Sequence, residues 1–332
     1  MRRFIAEDII PHTRNADRRR ALLDALQGKL QIDYDTQRTR TAAQTFAARE
    51  GNCLSLVIMA AAMAKQLGID VTYQEVRDFD TWSRTAGFAI LSQHVNLVLG
   101  PRVPIAWLRQ REAAAMIVDF LPPRQVADAV SRPVAEHTVI AMYMNNRAVE
   151  TMINGNVDQA YWLARAALEA DPGFVNAANT LGVIYIQRNL LEAAEPAIRF
   201  ALQRDPDNVS ALTNLIGILN TNGHSAEAQA LQKRLADIQR HPPFYFYDRG
   251  MEAMQAGQLD LAAKLFEKAL AQRPYDVPSH FQLALVALRL GDMRRARKQL
   301  ELAMKNSTTP ETRALYAAKL QHLKSEKGVR FR

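Results

Sequence analysis

Apolar positions in the second half of the chain follow a helical spacing that is interrupted and restarted at regular intervals. When the sequence is cut every 34 residues from Ala141, small side chains fall at the same positions in successive units. The twentieth position is always alanine: Ala160, Ala194, Ala228, Ala262 and Ala296. The eighth is mostly small: Ala148, Gly182, Ile216, Gly250 and Ala284. Small residues at fixed spacing mark close approaches of two helices, so the pattern predicts an array of helical pairs.

Each unit contains two helical stretches with a break near its middle. The units are 141–174, 175–208, 209–242, 243–276 and 277–310. Pro172, Pro206 and Pro274 end three of them in register, because proline cannot continue a helix interior. We predict an all-α solenoid, closed by a capping helix and a basic tail over 311–332.

The period and the ladder of small residues resemble the tetratricopeptide repeat. This resemblance implies a groove lined by the first helix of each unit, which would bind a peptide or protein through amide hydrogen bonds and ring contacts. The fifth residue of each unit should face that groove: Asn145, Asn179, Thr213, Tyr247 and Phe281. Alternatively, these side chains only pack between neighbouring repeats, or hold the solenoid against the N-terminal part.

Residues 1–135 lack the repeat and show shorter elements of both kinds. The spacing predicts helices over 17–27, 41–48 and 53–66, the last closed by Gly68. Strand-like runs follow at 69–76, 94–100, 103–109 and 116–121, with a loop at 78–93 before the second of them. Helices followed by an antiparallel sheet indicate an α+β domain.

Three residues of this domain suggest chemistry. Cys53 is the only cysteine and opens the helix 53–66, where free amides and the helix dipole favour a thiolate. His94 is predicted to begin a strand and Asp119 to end another, so neighbouring antiparallel strands would bring them together. A nucleophile, a base and an orienting carboxylate would result. Taken singly, each has a plainer interpretation: a buried thiol, a core imidazole and a carboxylate that caps a turn.

Arg49, Gly51 and Cys53 form an R-x-G-x-C motif within REGNCLSL, and HVNLVL and IVDFLP follow it. This set resembles the transglutaminase-like superfamily of papain-type folds, most closely its SirB1-type bacterial branch, over roughly residues 35–125. The resemblance implies that Cys53 is the nucleophile, His94 the base and Asp119 the residue that orients the base.

The residues that would stabilise an oxyanion are not assigned by the motif. The backbone amide of Cys53 is a natural donor at a helix start. Asn52 and Gln44 are candidates for a further donor. Asn96 lies on the same strand face as His94 and is a candidate to support it.

Two functions from different classes are consistent with these residues. In the first, Cys53 attacks a carboxamide or peptide carbonyl, and water or an amine resolves the thioester, so the domain is a peptidase, an amidase or a transferase. The repeats would then present the protein or peptide substrate. In the second, the N-terminal domain is degenerate, and the chain is a non-catalytic scaffold for protein–protein interactions.

Composition is that of a globular protein, with 48% hydrophobic and 23% charged residues. A single cysteine excludes an intramolecular disulfide and a cysteine-rich zinc site. No nucleotide-binding loop and no metal-binding histidine pair appears in the sequence, so we predict neither a cofactor nor a metal.

The net charge of +8 raises the question of a nucleic-acid partner. Acidic residues are interspersed among the basic clusters, which favours solvated helix faces, and a nucleic-acid partner is not expected. No apolar run is long enough to span a bilayer, so no membrane association is expected. The sequence shows no signal peptide, which predicts a cytoplasmic protein; a start further upstream would allow a periplasmic one.

Overall fold

The structure is a computed structural model. It describes residues 1–13, 17–35, 38–85, 88–100, 115–121, 130–238, 241 and 244–325, with the backbone alone for 77–92 and 324–325. The chain divides into two compact units, Met1–Arg240 and His241–Arg332.

The N-terminal part of the first unit begins with helices. They are α1 Arg2–Phe4, α2 Arg18–Asp24, α3 Ala42–Ala48 and α4 Cys53–Gln66. Helix α1 continues into a π-helix, Ile5–Ile9, and a 3-10 turn, Ile10–Thr13, and α2 continues into a π-helix, Ala25–Lys29. Helices α2, α3 and α4 confirm the predicted helices. Gly68 follows α4 in the left-handed conformation, with φ of 68°, as expected where a helix ends.

The strands form two sheets in the described part of the chain. β1 Asp33–Tyr34 pairs in parallel with β2 Glu50–Gly51. The larger sheet consists of β3 Val71–Thr85, β4 Phe88–Leu99, β5 Met116–Val118 and β6 Ser131–Val134. Its order is β5-β4-β3-β6, and every neighbouring pair is antiparallel. The predicted antiparallel sheet after the helices is therefore present.

Two expectations about the strands were wrong. Segment 78–93 is not a loop, because β3 and β4 run through most of it as a long antiparallel pair. For the same reason His94 lies inside β4, opposite Val76, and does not begin the strand. The antiparallel ladder of β3 and β4 satisfies the backbone hydrogen bonds of this segment, although many of its residues are polar. The strand predicted at 103–109 lies outside the described residues.

Helix α4 is central to the core of the first unit. Its side chains Leu56, Val57, Met59 and Met63 are almost completely buried. Strand β4 contributes Val95, Leu97 and Leu99 to the same core. A helix that is apolar on most of its surface must be covered by neighbours all round, which fixes α4 beneath the sheet.

The rest of the chain is helical. The first unit contains α5 Glu136–Ile153, α6 Val157–Ala170, α7 Val175–Gln187, α8 Leu191–Arg204, α9 Val209–Thr221 and α10 Ser225–Ile238. The second contains α11 Tyr245–Gln255, α12 Leu259–Gln272, α13 Val277–Arg289, α14 Met293–Asn306 and the capping helix α15 Pro310–Ser325. This confirms the predicted array of helical pairs. The predicted basic tail beyond 325 lies outside the described residues.

The small residues of the array lie where the two helices of a pair touch. All the alanines at the twentieth position have no exposed surface. A Cβ added to Gly250 would lie 2.7 Å from Cε1 of Phe266 on the next helix, and one added to Gly182 would meet Ile198. The sequence ladder therefore records contacts between paired helices.

Candidate active site

The segment from Arg49 to Cys53 joins helix α3 to helix α4 through a short strand. Arg49 ends α3 in the left-handed conformation, with φ of 55°. Gly51 then pairs with Tyr34 across the β1–β2 sheet. Asn52 caps α4, because its side-chain oxygen accepts from the Ser55 amide at 2.9 Å. Cys53 is thus the first residue of α4, as the sequence predicts.

Gly51 is needed because there is no room for a Cβ atom at this position. Its backbone does not have the positive φ that favours glycine. A Cβ at this position would lie 2.9 Å from Cβ of Ser55 and 3.2 Å from Cγ2 of Thr45. Contacts this short would push α3 and α4 apart. The glycine of the motif therefore lets the turn pass close to both helices, and this sets the position of Cys53.

His94 and Asp119 meet across neighbouring strands. The Nε2 atom of His94 lies 2.9 Å from both carboxylate oxygens of Asp119. The same carboxylate accepts a hydrogen bond from Nδ2 of Asn96 at 3.1 Å and one from the Leu121 amide at 2.9 Å. His94 and Asn96 are both buried. Asn96 thus holds Asp119 in place beside the imidazole.

Cys53 lies on the other side of His94. The nearby His94 side chain and the Val95 amide both lower the pKa of its thiol. Since Nε2 of His94 is occupied by Asp119, the nitrogen left for the thiol is Nδ1. The Sγ atom also lies 4.0 Å from the main-chain oxygen of Gln93. The structure brings Cys53, His94 and Asp119 into one connected set.

The surroundings of Cys53, His94 and Asp119 favour the charged form of each side chain. Burial alone would raise the pKa of the Cys53 thiol, but the hydrogen bond and charge of His94 outweigh it and lower the pKa. Burial opposes protonation of His94, yet Asp119 and Cys53 raise its pKa to about 9. Burial would likewise raise the pKa of Asp119, and His94 holds it below its ordinary value. The charges of His94 and Cys53 therefore stabilise each other, which favours a thiolate beside an imidazolium.

Tyr34 belongs to this site, and the sequence did not single it out. Its phenol lies close enough to the Cys53 thiol for each group to shift the pKa of the other. Burial, followed by the nearby charge of Cys53, raises the pKa of the phenol well above its ordinary value, so the hydroxyl keeps its proton. A two-residue strand has no periodicity, and its pairing with β2 is not visible in the sequence.

The amides of Asn52 and Gln44 have other partners. The Asn52 Oδ1 caps α4, and its Nδ2 donates to Oγ1 of Thr39 at 2.8 Å. The Oε1 of Gln44 accepts from the Thr41 amide at 3.0 Å, in a capping box at the start of α3. Both side chains therefore stabilise helix starts.

The predicted groove residues in the first unit differ in exposure. Asn145 is buried and Asn179 is half-buried, whereas Thr213 is exposed. Asn179 accepts a hydrogen bond from Asn214 of the following repeat at 2.9 Å. The Thr213 hydroxyl donates to the main-chain oxygen of Val209. Asn179 thus links neighbouring repeats, as the alternative interpretation of this row expects.

In the second unit the two aromatic residues are half-buried. Tyr247 packs edge-on against Phe266, with ring centroids 5.8 Å apart. Phe281 packs against Tyr316 of the capping helix at 5.5 Å. Both rings use part of their surface inside the array and keep part of it exposed.

Comparison with known proteins identifies the repeats. The tetratricopeptide repeat family model matches residues 152–209, 179–242 and 247–310. The helical part of the chain is a tetratricopeptide-repeat solenoid. Solenoids of this type bind peptides or proteins along their grooves, so this part of the chain is a scaffold for protein–protein interaction. The transglutaminase-like resemblance of the N-terminal part stays a prediction.

One curated relative is the cellulose synthase operon protein C of Pseudomonas fluorescens (strain SBW25). It is 30% identical over 174 residues, which are 50% of this chain and 14% of that protein. The chain thus spans about one seventh of this relative's length.

Two solved structures are similar to parts of the chain. YrrB, described as a TPR protein with an unusual peptide-binding site, is 20% identical with a TM-score of 0.30, covering 54% of this chain and 92% of its own. The pilF protein of Pseudomonas aeruginosa is 20% identical with a TM-score of 0.32, covering 58% of this chain and 100% of its own. At these TM-scores neither carries an argument about the whole molecule.

The structure was also searched for metal-ligand groups and for membrane-spanning helices. Within the described ranges, no three His, Cys, Asp or Glu side chains are grouped as metal ligands. No helix among the residues that the structure describes has the length and apolar character needed to cross a membrane.

Proposed function

We propose that the N-terminal part is a transglutaminase-like acyl-transfer domain that uses Cys53 as nucleophile, His94 as acid and base, and Asp119 to orient His94. The observation that carries this proposal is the His94–Asp119 pair beside Cys53, whose Sγ lies 4.0 Å from the main-chain oxygen of Gln93, the residue before His94. A partly buried thiol with a lowered pKa at a helix start is a typical cysteine nucleophile. Asn96 supports the set through Asp119.

The reaction follows from the charges of these groups. The Cys53 thiolate attacks a carboxamide or peptide carbonyl carbon, so a C–S bond forms and the carbonyl π electrons move to oxygen. The tetrahedral intermediate collapses, the C–N bond breaks, and the leaving amine takes the proton of the His94 imidazolium. Neutral His94 then removes a proton from water or an acceptor amine as it attacks the thioester. Water gives hydrolysis, and a lysine amine gives cross-linking.

We assign the role of substrate presentation to the repeats at 141–310, next to a catalytic domain at 1–135, with 311–332 as cap and tail. Two contacts within the first unit support this assignment. Asn176, at the start of α7, donates to the Gln93 side chain at 2.9 Å, one residue before His94. Glu150 of α5 accepts from the Thr39 amide at 2.6 Å, and Thr39 accepts from the Asn52 side chain. The first repeats therefore adjoin the Cys53 helix.

The proposed partner is a protein or peptide with an extended segment that lies along the first helices of the repeats. Exposed Thr213 and the exposed parts of Asn179, Tyr247 and Phe281 would contact it.

The test is acylation of Cys53 in the full-length protein by p-nitrophenyl acetate. We expect a burst of p-nitrophenol and an acetyl group on Cys53 in the intact-protein mass spectrum. Cys53→Ala should abolish both, and His94→Ala should slow them by at least about 10²-fold, as for loss of a general base. A wild-type protein that forms no acyl-Cys53, or that forms it equally well without His94, contradicts the proposal.

A second function, a non-catalytic scaffold with a degenerate N-terminal domain, is favoured by one observation: the family match lies within the repeats. The two functions differ in what Cys53→Ala does. A scaffold keeps its full cellular phenotype with alanine at this position, whereas an acyl-transfer enzyme loses it.

A further inference from the structure

Glu150 connects the first repeat to the N-terminal part through a hydrogen bond to the main chain. It lies on α5, and its Oε1 accepts from the Thr39 amide at 2.6 Å. Thr39 is 2% exposed, so a lost acceptor would leave this amide buried without a partner, which is costly. Hydrogen bonds to a carboxylate are also stronger than those between neutral groups. The backbone at Thr39 is therefore tied to the first repeat.

Thr39 and its neighbour Arg40 hold the start of the Cys53 helix. Oγ1 of Thr39 accepts from Nδ2 of Asn52 at 2.8 Å. The Arg40 amide donates to Oγ of Ser55 at 2.8 Å. Oδ1 of Asn52 accepts from the amide of Ser55 at 2.9 Å and from its hydroxyl at 2.7 Å. Because Ser55 is fully buried, these hydrogen bonds fix the first turn of α4 without competition from water.

The carboxylate of Glu150 has a second contact, which lies within its own helix. Nη1 of Arg147 is 2.8 Å from Oε2, so the ion pair and the hydrogen bond to Thr39 use different oxygens. The Glu150 side chain is 20% exposed, so water screens the ion pair in part. Separate substitutions can therefore remove the ion pair or the hydrogen bond.

We infer that Glu150 is a positioning residue, through which the first repeat fixes Cys53 relative to His94. Cys53 follows Asn52 directly and opens the turn that Asn52 caps. Its Sγ lies 4.0 Å from the main-chain oxygen of Gln93, the residue before His94. A shift of this turn moves the sulfur along β4, and a misplacement of about 1 Å can cost about 10²-fold in rate. The inference rests on the proposed acyl transfer.

The test follows two reactions of Cys53 in the full-length protein: acylation by p-nitrophenyl acetate, and alkylation by iodoacetamide as a function of pH. Glu150→Ala removes the acceptor of the Thr39 amide, so it should slow acylation by at least about 10-fold. It should also move the alkylation profile to higher pH, because His94 stabilises a displaced thiolate less. Glu150→Gln keeps an acceptor oxygen, so its acylation rate should lie within about twofold of the wild-type rate and its profile should not move.

Two control variants separate this role from the loss of an ion pair. Arg147→Ala removes the ion pair of Glu150 and leaves the hydrogen bond to Thr39. Glu169→Ala removes an ion pair with Arg165 on the second helix of the same repeat. Both should keep the wild-type rate and pH profile. Thermal unfolding followed by circular dichroism shows whether each variant is folded at the assay temperature.

Thr39→Val is an independent test, which decides the inference if Glu150→Ala does not fold. It keeps the amide that donates to Glu150 and loses the hydroxyl that accepts from Asn52. It should give the same two effects as Glu150→Ala. Adding Glu150→Ala to it should change little more, because both residues act through one chain of contacts.

The inference is overturned if Glu150→Ala or Thr39→Val, once folded, reacts like the wild-type protein, or if Glu150→Gln is as slow as Glu150→Ala. Acylation that depends on His94 but on neither Glu150 nor Thr39 removes this inference alone. Absence of acylation in the wild-type protein removes the proposed function. The alkylation profile of Glu150→Ala then decides whether Glu150 positions Cys53: a shift to higher pH supports this role and an unchanged profile overturns it.

Discussion

The carboxylate of Asp119 accepts hydrogen bonds from three residues around the site. It accepts from His94, Asn96 and the Leu121 amide. These bonds fix the imidazole plane and leave its second nitrogen for Cys53. The imidazolium formed there is stabilised by carboxylate and thiolate together, which is why its pKa is raised to about 9 although the side chain is buried.

This charge arrangement predicts different pH dependences for two alkylating agents. We expect the rate of Cys53 alkylation by iodoacetate, an anion, to fall near pH 9, where His94 loses its proton and its attraction for the reagent. The rate with neutral iodoacetamide should stay on its plateau there. In Asp119→Asn the fall with iodoacetate should move to lower pH, because the carboxylate that raises the pKa of His94 is gone. Identical profiles for the two reagents would refute an imidazolium beside the thiol.

The sequence predicted Cys53, His94 and Asp119 but not Tyr34, and the difference has a physical reason. Cys53, His94 and Asp119 lie in short motifs whose residues are neighbours in the chain. Tyr34 reaches the site only through the β1–β2 pairing, and such pairings between distant segments have no local signal. Asn52 and Gln44 had local signals, but the same polar side chains also serve as helix caps.

At the scale of elements, the array is stabilised by close contact between the two helices of each pair. The repeat period was visible because only small side chains fit at those contacts. The strand pair that occupies most of 78–93 was not predicted, because a long antiparallel pair can include many polar residues while its backbone pairs. Paired helices therefore show recurring small residues in the sequence, whereas polar strands show no such periodic pattern.

Two glycines on equivalent helices of the array should respond oppositely to alanine. A Cβ at Gly182 would lie 2.9 Å from Cδ1 of Ile198, whereas nothing lies within 4 Å of one at Gly217. Gly182→Ala should lower the free energy of unfolding by about 1–3 kcal/mol through overpacking. Gly217→Ala should raise it by up to about 1 kcal/mol through helix propensity. Urea unfolding followed by circular dichroism measures both, and equal effects would refute the role of Gly182 as a contact residue.

At the scale of the molecule, the N-terminal part and the first repeats share one compact unit. Val139 and Met142 of α5 are buried in the same core as α4. The hydrogen bonds of Glu150 to Thr39 and of Asn176 to Gln93 add polar contacts near the site. Because the two parts share a core, we expect the positions of Cys53, His94 and Asp119 to depend on the repeats.

Two truncations test this dependence. A chain that ends at Ile238 keeps α5 and its core contacts, so we expect it to fold and to retain wild-type alkylation of Cys53. A chain that ends at Ala135 lacks Val139 and Met142 and should lose cooperative thermal unfolding, since loss of each large core side chain costs about 2–5 kcal/mol. A shorter chain that folds and reacts like the full-length protein would show that the N-terminal part is independent of the repeats.

The central claim is that His94 holds Cys53 as a thiolate, and the pH dependence of iodoacetamide alkylation at Cys53 tests it most directly. For the wild-type protein we predict a half-maximal rate at a pH below the ordinary thiol pKa, because His94 lowers the pKa of Cys53. In His94→Ala the burial of the thiol is no longer opposed, so the profile should move to higher pH. Profiles that coincide, or a wild-type midpoint at or above the ordinary thiol pKa, would contradict the account.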